Sequence, residues 1–558
     1  MAATAAAPEW DYIIVGGGSA GCVLANRLTE DGRTRVLLVE AGGGDRVVGI
    51  RVPAAMLTLK ATYDWSYETE PDPSRGGMVD HWAAGKVIGG GSSVNAMLWV
   101  RGNRADYDHW ASLGCAGWDY ESVLPYFRKA ETFERGADAF RGGSGPQRVS
   151  LVRIRHPLTD AFLAGARAAG HPAPADYNGA GQHGASYAQV SQKNGLRHST
   201  ARAYLAPARR RGNLTVWLHT TVSRVLVEDG AAAGIEYEQG GGLLQARAGR
   251  EVILSAGTFG SPKLLMLSGL GPADHLCRAG VRITGDLPGV GQNLQEHPAG
   301  VMTFGVTERT LNQDATPLRS VLHGLDFLLR RRGPVTSPLC HAVVFGDLAD
   351  SGGQGPDYQL MFGPYGMADP ATVGHEVHGV KMSPSALVSV YPCLLHPVSR
   401  GAIRLRSPAY QDPPIVSMSL LGDPGDVARF TAVGRAVREI FAAGPLARYV
   451  SGEIAPGPGV ASDADWESHL RSSSFGSSHP IGTCRMGPET ENIAVVDPQL
   501  RVRGVKKLRV VDASVMPSLI SGNTNAATIM IAERAADLIR SGLASAGSTL
   551  NQAGKVTT

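Results

Sequence analysis

Little in this chain points to nucleic acid, a membrane span or a disulfide scaffold. Lys and Arg exceed Asp and Glu by only three, 53 against 50, which removes the electrostatic case for a polyanionic partner. The six cysteines (Cys22, Cys115, Cys277, Cys340, Cys393 and Cys484) stand singly with no CxxC pair, a spacing expected of reduced thiols in a cytoplasmic protein. No apolar run is long enough to cross a bilayer, and the first ten residues lack the basic start of a signal peptide. No internal repeat stands out. No metal site is expected either: His375 and His378, three apart beside Glu376, are half a metal site at most, in a polar glycine-rich stretch that reads as a solvated loop. Cys340-His341 does not make a thiol–imidazole pair, because neighbours in an extended segment face opposite sides.

Glycine and proline are plentiful, 71 and 34, but spread among apolar segments that make up a 43% hydrophobic chain. That composition fits a loop-rich globular enzyme. The 558 residues have room for three or four compact domains, and large α/β enzymes often interleave two.

The first unit reads β-α-β. Tyr12-Ile13-Ile14-Val15 is an apolar strand, Gly16-x-Gly18-x-x-Gly21 a tight turn, and the run from Cys22 has helical spacing; Val36–Val39 is the next strand, closed by Glu40. With a strand before the glycines, a helix after them and an acid at the second strand's end, this is an adenine-dinucleotide fingerprint. The helix N-terminus meets the pyrophosphate and Glu40 accepts from the ribose hydroxyls. A carboxylate there repels a 2′-phosphate, but the fingerprint alone does not separate NAD from FAD. A second glycine loop, Gly85-Lys86-Val87-Ile88-Gly89-Gly90-Gly91-Ser92-Ser93-Val94-Asn95, suggests that backbone also approaches a ring system closely. Beyond Thr310, alternating segments such as Leu387–Tyr391 and Ala402–Leu405 indicate a separate antiparallel sheet. Residues 541–558 show no periodicity and read as a mobile tail.

Five ordered blocks resemble the glucose–methanol–choline (GMC) oxidoreductase family. They are Gly85–Asn95 with its continuation to Gly102, Gly257–Gly271, Val290–Pro298, His479–Gly487, and Val511–Pro517 leading to Asn523-Thr524-Asn525. The resemblance spans residues 11 to about 540. It implies an α/β fold: a Rossmann-like FAD-binding domain in discontinuous segments, with a substrate domain whose mostly antiparallel sheet is flanked by helices. The expected pieces are 8–155, 201–310 and 468–540 for the FAD domain, 156–200 and 311–467 for the substrate side, and 541–558 for the tail. The implied FAD contacts are Gly16, Gly18, Ser19, Ala20, Gly21, Glu40, Ala41, Trp65, Val87, Gly90, Gly91, Ser92, Asn95, Ala96, Val222, Asp512, Ala513, Asn523 and Thr528.

His479 corresponds to the family's active-site histidine. Pro480 keeps it out of helical geometry, and imidazole suits proton removal near neutral pH. Its partner is a His or Asn before the last helix. Aligning Ala526–Glu533 with the family pattern places Asn525 there, leaving Asn523 to touch flavin or shape the turn. The expected chemistry is oxidation of a small-molecule alcohol to the aldehyde, with hydride passing to flavin N5, His479 as general base and Asn525 on the substrate oxygen. Either molecular oxygen or a quinone-type compound would accept the electrons. Choline-type relatives carry an acid after a Gly-Pro turn, and here His341 occupies that place. Its absence favours neutral primary aryl or alkyl alcohols over a quaternary ammonium. The alternatives are a choline-type dehydrogenase and an FAD-containing, non-redox hydroxynitrile lyase-like enzyme.

Overall fold

The computed structural model describes residues 9–59, 61–314, 316–348, 355–369 and 381–553. His375 and His378 lie outside them.

Two sheets organise the chain. In the first, five strands run parallel in the order Leu214–Trp217, Val36–Val39, Trp10–Val15, Gly242–Leu254, Leu508–Val510. The long strand Gly242–Leu254 uses its second half for this pairing; its first half joins Ala231–Gln239 and Thr221–Glu228 in an antiparallel meander. Strands from residues 10–39, 214–254 and 508–510 therefore share one sheet, as expected of a nucleotide fold assembled from distant segments. Ile13, Ile14, Leu37, Leu38, Ile253 and Val510 are fully buried, which is why these strands read as continuous apolar runs rather than alternating ones.

The second sheet is antiparallel at every described pairing, in the order Val450–Ala455, Met302–Val306, Leu387–Leu394, Tyr358–Gly363, Ala342–Gly346, Gly184–Tyr187. The helices Pro157–Ala168 and Pro424–Ala442 cover one face. Phe162 stacks on Phe362 with ring centroids 4.3 Å apart, and Phe441 on Phe304 at 3.7 Å. Such aromatic pairs add to the burial energy of the seam.

Three differences from the sequence reading stand out. Pro298–Ala299 and Met302–Val306 belong to the second sheet rather than to the nucleotide unit, and so does Phe475–Gly476, which pairs with Pro298–Ala299. A buried apolar run can enter either sheet, and only its partners decide. The segment around Ala402–Leu405 does form a strand, Gly401–Arg404, but in its own two-stranded sheet with Ile415–Met418. The last helix runs from Asn525 to Ala553, through much of the stretch whose lack of periodicity suggested a tail. Alanine and leucine favour helix without an amphipathic pattern.

Candidate functional site

A cavity of about 830 Å³ lies between the two sheets. Its lining includes Glu40, Val222 and Glu238, then Gly16, Gly18–Ala20, Gly90, Gly91 and Val94–Met97 from the two glycine loops, and His479 with Asn523. The two glycine loops touch each other. Gly90 has φ +49°, and a Cβ there would stand 2.7 Å from Gly18 Cα. Gly16 has φ +104°, and its Cβ would meet Ser255 O at 2.4 Å. Any side chain would push the loops apart, so the glycines are a steric requirement of the cradle. A dinucleotide-length cavity, with a fingerprint turn at one side and a second backbone wall at the other, fits FAD.

Most expected contact residues line this cavity: Gly16, Gly18, Ser19, Ala20, Glu40, Ala41, Trp65, Gly90, Gly91, Asn95, Ala96, Val222, Asp512, Ala513, Asn523 and Thr528. Gly21, Val87 and Ser92 do not; they hold the loops from behind. A Cβ on Gly21 would lie 1.9 Å from Gly16 O, Val87 is fully buried, and Ser92 Oγ donates to Gly89 O at 2.6 Å. Glu40 is buried and accepts from Gly17 N and Gly42 N, both at 2.8 Å, with lone pairs left for hydroxyl donors. Burial raises its pKa. Asp512 accepts from Gly257 N at 2.9 Å and Ser261 Oγ at 2.5 Å, fixing the start of the helix Gly257–Leu267. Asn95 Oδ1 is taken by Arg197 Nη1 at 2.8 Å and Met97 N at 3.0 Å, so it can offer the cavity only its amide N–H. At the rim, Lys86 Nζ sits 4.5 Å from the centre of the half-exposed Trp65 ring.

His479 follows Ser478, a non-glycine residue at φ +60° that turns the chain into the cavity. The buried Glu296 carboxylate fixes the turn, accepting from His479 N with both oxygens at 2.9 Å and from His297 N at 2.9 Å. Desolvation pushes Glu296 up to about 8. His297 Nδ1 lies 3.1 Å from His479 Nδ1, and Asn523 Nδ2 lies 2.8 Å from His479 Nε2. Asn523 Oδ1 accepts from Gln359 Nε2 at 3.2 Å. This chain of partners assigns the hydrogens. Gln359 occupies the Asn523 oxygen, so the Asn523 amide nitrogen donates to Nε2. His479 then carries its proton on Nδ1 and gives it to His297 Nδ1. Burial pushes His479 down to about 4 and His297 well below its ordinary value, so both rings are neutral at physiological pH. Nε2 is therefore unprotonated at the cavity and accepts from the Asn523 amide.

The structure differs from the sequence reading at two of these positions. Asn523, not Asn525, reaches the imidazole. Asn525 Oδ1 instead accepts from Ser19 Oγ at 2.7 Å, beside the fingerprint turn. Asn525 is already the first residue of the helix, so its side chain swings away with the helical turn rather than repeating the direction of Asn523. His341 is fully buried outside the cavity, with Nε2 2.6 Å from Ser337 Oγ, and is pushed down to about 3. Its neighbour Cys340 lines the cavity instead. Sequence reasoning gave no role to Glu296, His297 or Gln359. Glu296-His297-Pro298 lay within a quoted family block, but nothing local shows that it faces residue 479.

The wall beyond His479 is apolar and aromatic: Ala299, Leu339, Met361, Tyr365, Met367, Tyr391 and Phe475. The carboxylates that line the cavity are elsewhere. Glu40 and Asp512 serve the backbone as described, Glu238 is on the meander, and Asp64 accepts from Ser66 N and Ala84 N. No His, Cys, Asp and Glu cluster able to hold a metal occurs among the described residues, and none of their helices is long and apolar enough to cross a membrane.

Comparison with known proteins agrees with this architecture. The family described as GMC oxidoreductase matches residues 10–299 and 397–532. Mitochondrial choline dehydrogenase of Mus musculus is 43% identical over 95% of this chain and 89% of its own length. The oxygen-dependent choline dehydrogenase of Vibrio vulnificus is 39% identical, covering 95% and 94%. Among solved structures, pyridoxine 4-oxidase from Mesorbium loti superposes with a TM-score of 0.84 at 32% identity, covering 95% of this chain and 99% of that one. A fungal aryl-alcohol oxidase gives 0.82 at 26%, covering 96% and 99%. The chain belongs to the GMC oxidoreductase family and is an FAD-dependent enzyme acting on CH–OH donors.

Proposed function

We propose that this enzyme oxidises neutral primary alcohols bearing an aryl or alkyl group to the aldehyde. The observation that carries this reading is the wall beyond His479, where apolar and aromatic side chains converge and no lining carboxylate stands among the described residues. A buried cation without a counter-charge is costly, whereas an uncharged aryl or alkyl group gains from the same wall.

The chain's own groups do the following work. The alcohol hydroxyl displaces the 2.8 Å contact between His479 Nε2 and Asn523 Nδ2, hydrogen-bonding to both in its place. Nε2 takes the hydroxyl proton, and the Asn523 amide donates to the oxygen as negative charge develops there. His297 accepts from His479 Nδ1–H throughout, which fixes the ring and keeps Nε2 free as the base. Gln359 keeps the Asn523 amide turned nitrogen-first. Gly16, Gly18–Ala20, Glu40, Gly90, Gly91, Val222 and Asp512 would hold FAD, which when bound would supply the hydride acceptor.

The relatives named choline dehydrogenases support a second reading. Tyr365, Tyr391 and Phe475 line the wall, and aromatic rings can hold a quaternary ammonium without a carboxylate. Anaerobic flavin bleaching separates the two: benzylic and aliphatic alcohols should reduce the holoenzyme with higher kcat/KM than choline. Faster reduction by choline would overturn the neutral-alcohol reading. Yellow enzyme that no alcohol bleaches would instead indicate a non-redox lyase. Repeating turnover with oxygen and then with a quinone dye identifies the electron acceptor.

A further inference from the structure

The helix Pro317–Arg330 is amphipathic with its apolar face turned outward. Leu318, Val321, Leu322, Leu325, Leu328 and Leu329 recur at helical spacing along one face, and all are at least half exposed, Leu318 at 74% and Leu329 at 81%. Contiguous apolar patches of this kind are rare on monomeric soluble proteins, and such a face marks an interaction surface.

The flanking charge identifies the partner. Residues 314–332 contain four arginines, Arg319, Arg330, Arg331 and Arg332, against two acids, Asp314 and Asp326. Arg319 pairs with Asp314 at 2.7 Å and Arg330 with Asp326 at 3.5 Å, so the excess positive charge lies at the C-terminal end of the helix, at Arg331 and Arg332. Exposed Lys193 adds to them, since its hairpin reaches the helix end: a Cβ on Gly195 would lie 3.1 Å from Arg331 O. A second copy of this chain would bring arginines against arginines on a shared face, whereas anionic headgroups neutralise them while acyl chains receive the leucines. We propose that this helix docks the enzyme in-plane on an anionic phospholipid surface, as a peripheral anchor rather than a span. Fourteen residues with an arginine-rich flank suit that depth and are too short to cross a bilayer. The site also adjoins the cavity. The helix contacts the turn Pro334–Thr336, which packs on Pro53–Thr58; Met56 from the latter, with Leu59 and Leu339 just beyond the two segments, lines the cavity. Docking would turn that side toward lipid.

The test is sedimentation of holoenzyme with sucrose-loaded vesicles, one set mixing phosphatidylglycerol with phosphatidylcholine and one of phosphatidylcholine alone. Wild type should bind the anionic vesicles and bind the neutral ones far less. The double change Leu322→Asp with Leu329→Asp should weaken binding roughly a hundredfold, about tenfold or more for each leucine withdrawn from lipid. Arg330→Ser with Arg332→Ser should erase most of the anionic preference. All these positions are on the surface, so flavin content and anaerobic reduction should match wild type. The proposal fails if wild type stays in the supernatant with both vesicle sets, or if the leucine variant binds as wild type does. It fails equally if the leucine face proves to hold a dimer in solution that the variant splits, with no vesicle binding by either protein.

Discussion

The side-chain amide of Asn523 lies 2.8 Å from Nε2 of His479, and its oxygen is held by Gln359. That pair, with His297 behind the imidazole, fixes which nitrogen faces the cavity. It also separates the roles of two asparagines that stand two residues apart.

His479→Ala should lower the anaerobic flavin-reduction rate by about 10²–10⁴ with FAD still bound, the usual range for losing a general base. Asn523→Ala should cost about 10²-fold through loss of one hydrogen bond to developing charge. Asn525→Ala should leave that rate within a fewfold of wild type and act on FAD retention through Ser19. Stopped-flow reduction of all three variants checks the assignment, and it collapses if Asn525→Ala is the slower of the two.

The free enzyme's kcat/KM for reduction should stay level from neutral pH down to about pH 5, then fall as His479 is protonated near 4. An acid limb near the ordinary histidine value would mean that the ring is not desolvated as described. The stopped-flow pH profile distinguishes the two.

Stability should decline on the acid side for a related reason. His479, His198 and His396 are each held down to about 4 by burial, against an ordinary 6.5. A depressed histidine contributes stability that is present above pH 6.5 and is lost as pH falls through the folded value. Tm of the holoenzyme should therefore drop between about pH 6.5 and 4. Glu296, raised to about 8, acts in the opposite sense, its contribution declining from about pH 4.5 upward. Glu296→Gln should flatten that decline, and differential scanning fluorimetry across pH reads both trends.

Gly90→Ala should give a protein that loses FAD. The new Cβ would face Gly18 Cα at 2.7 Å in a left-handed backbone, a strain of about 1–3 kcal/mol before any loop movement. The absorbance ratio of flavin to protein after gel filtration measures the effect; full flavin occupancy would contradict the contact between the two loops.

Ala299→Glu should reverse the substrate preference. A carboxylate on the wall beside Phe475 has no partner when the alcohol is neutral, but pairs with a quaternary ammonium. The ratio of kcat/KM for choline over benzyl alcohol should rise by tenfold or more. An unchanged ratio would place residue 299 out of reach of the bound substrate.

Much of this enzyme was readable from local pattern. Strand, glycine turn, helix and acid from Tyr12 to Glu40 specify a dinucleotide cradle, because close backbone approach tolerates no Cβ and the motif is contained in one β-α-β unit. The five family blocks carried FAD and the reaction class, and singled out His479 as the proposed base. Tertiary structure decided what depends on facing partners. Glu296, in the loop before Pro298–Ala299, and Gln359, on the strand Tyr358–Gly363, reach residues 479 and 523 from far away in the chain, and no spacing rule links them. Asn523 rather than Asn525 meets the imidazole because helical geometry begins at residue 525, and helix boundaries are set by packing more than by sequence. His341 sits next to a cavity residue, yet its own side chain is buried outside the cavity against Ser337. A sequence specifies which groups are present and their local spacing; their orientation across a cavity is fixed only when the two sheets close around it.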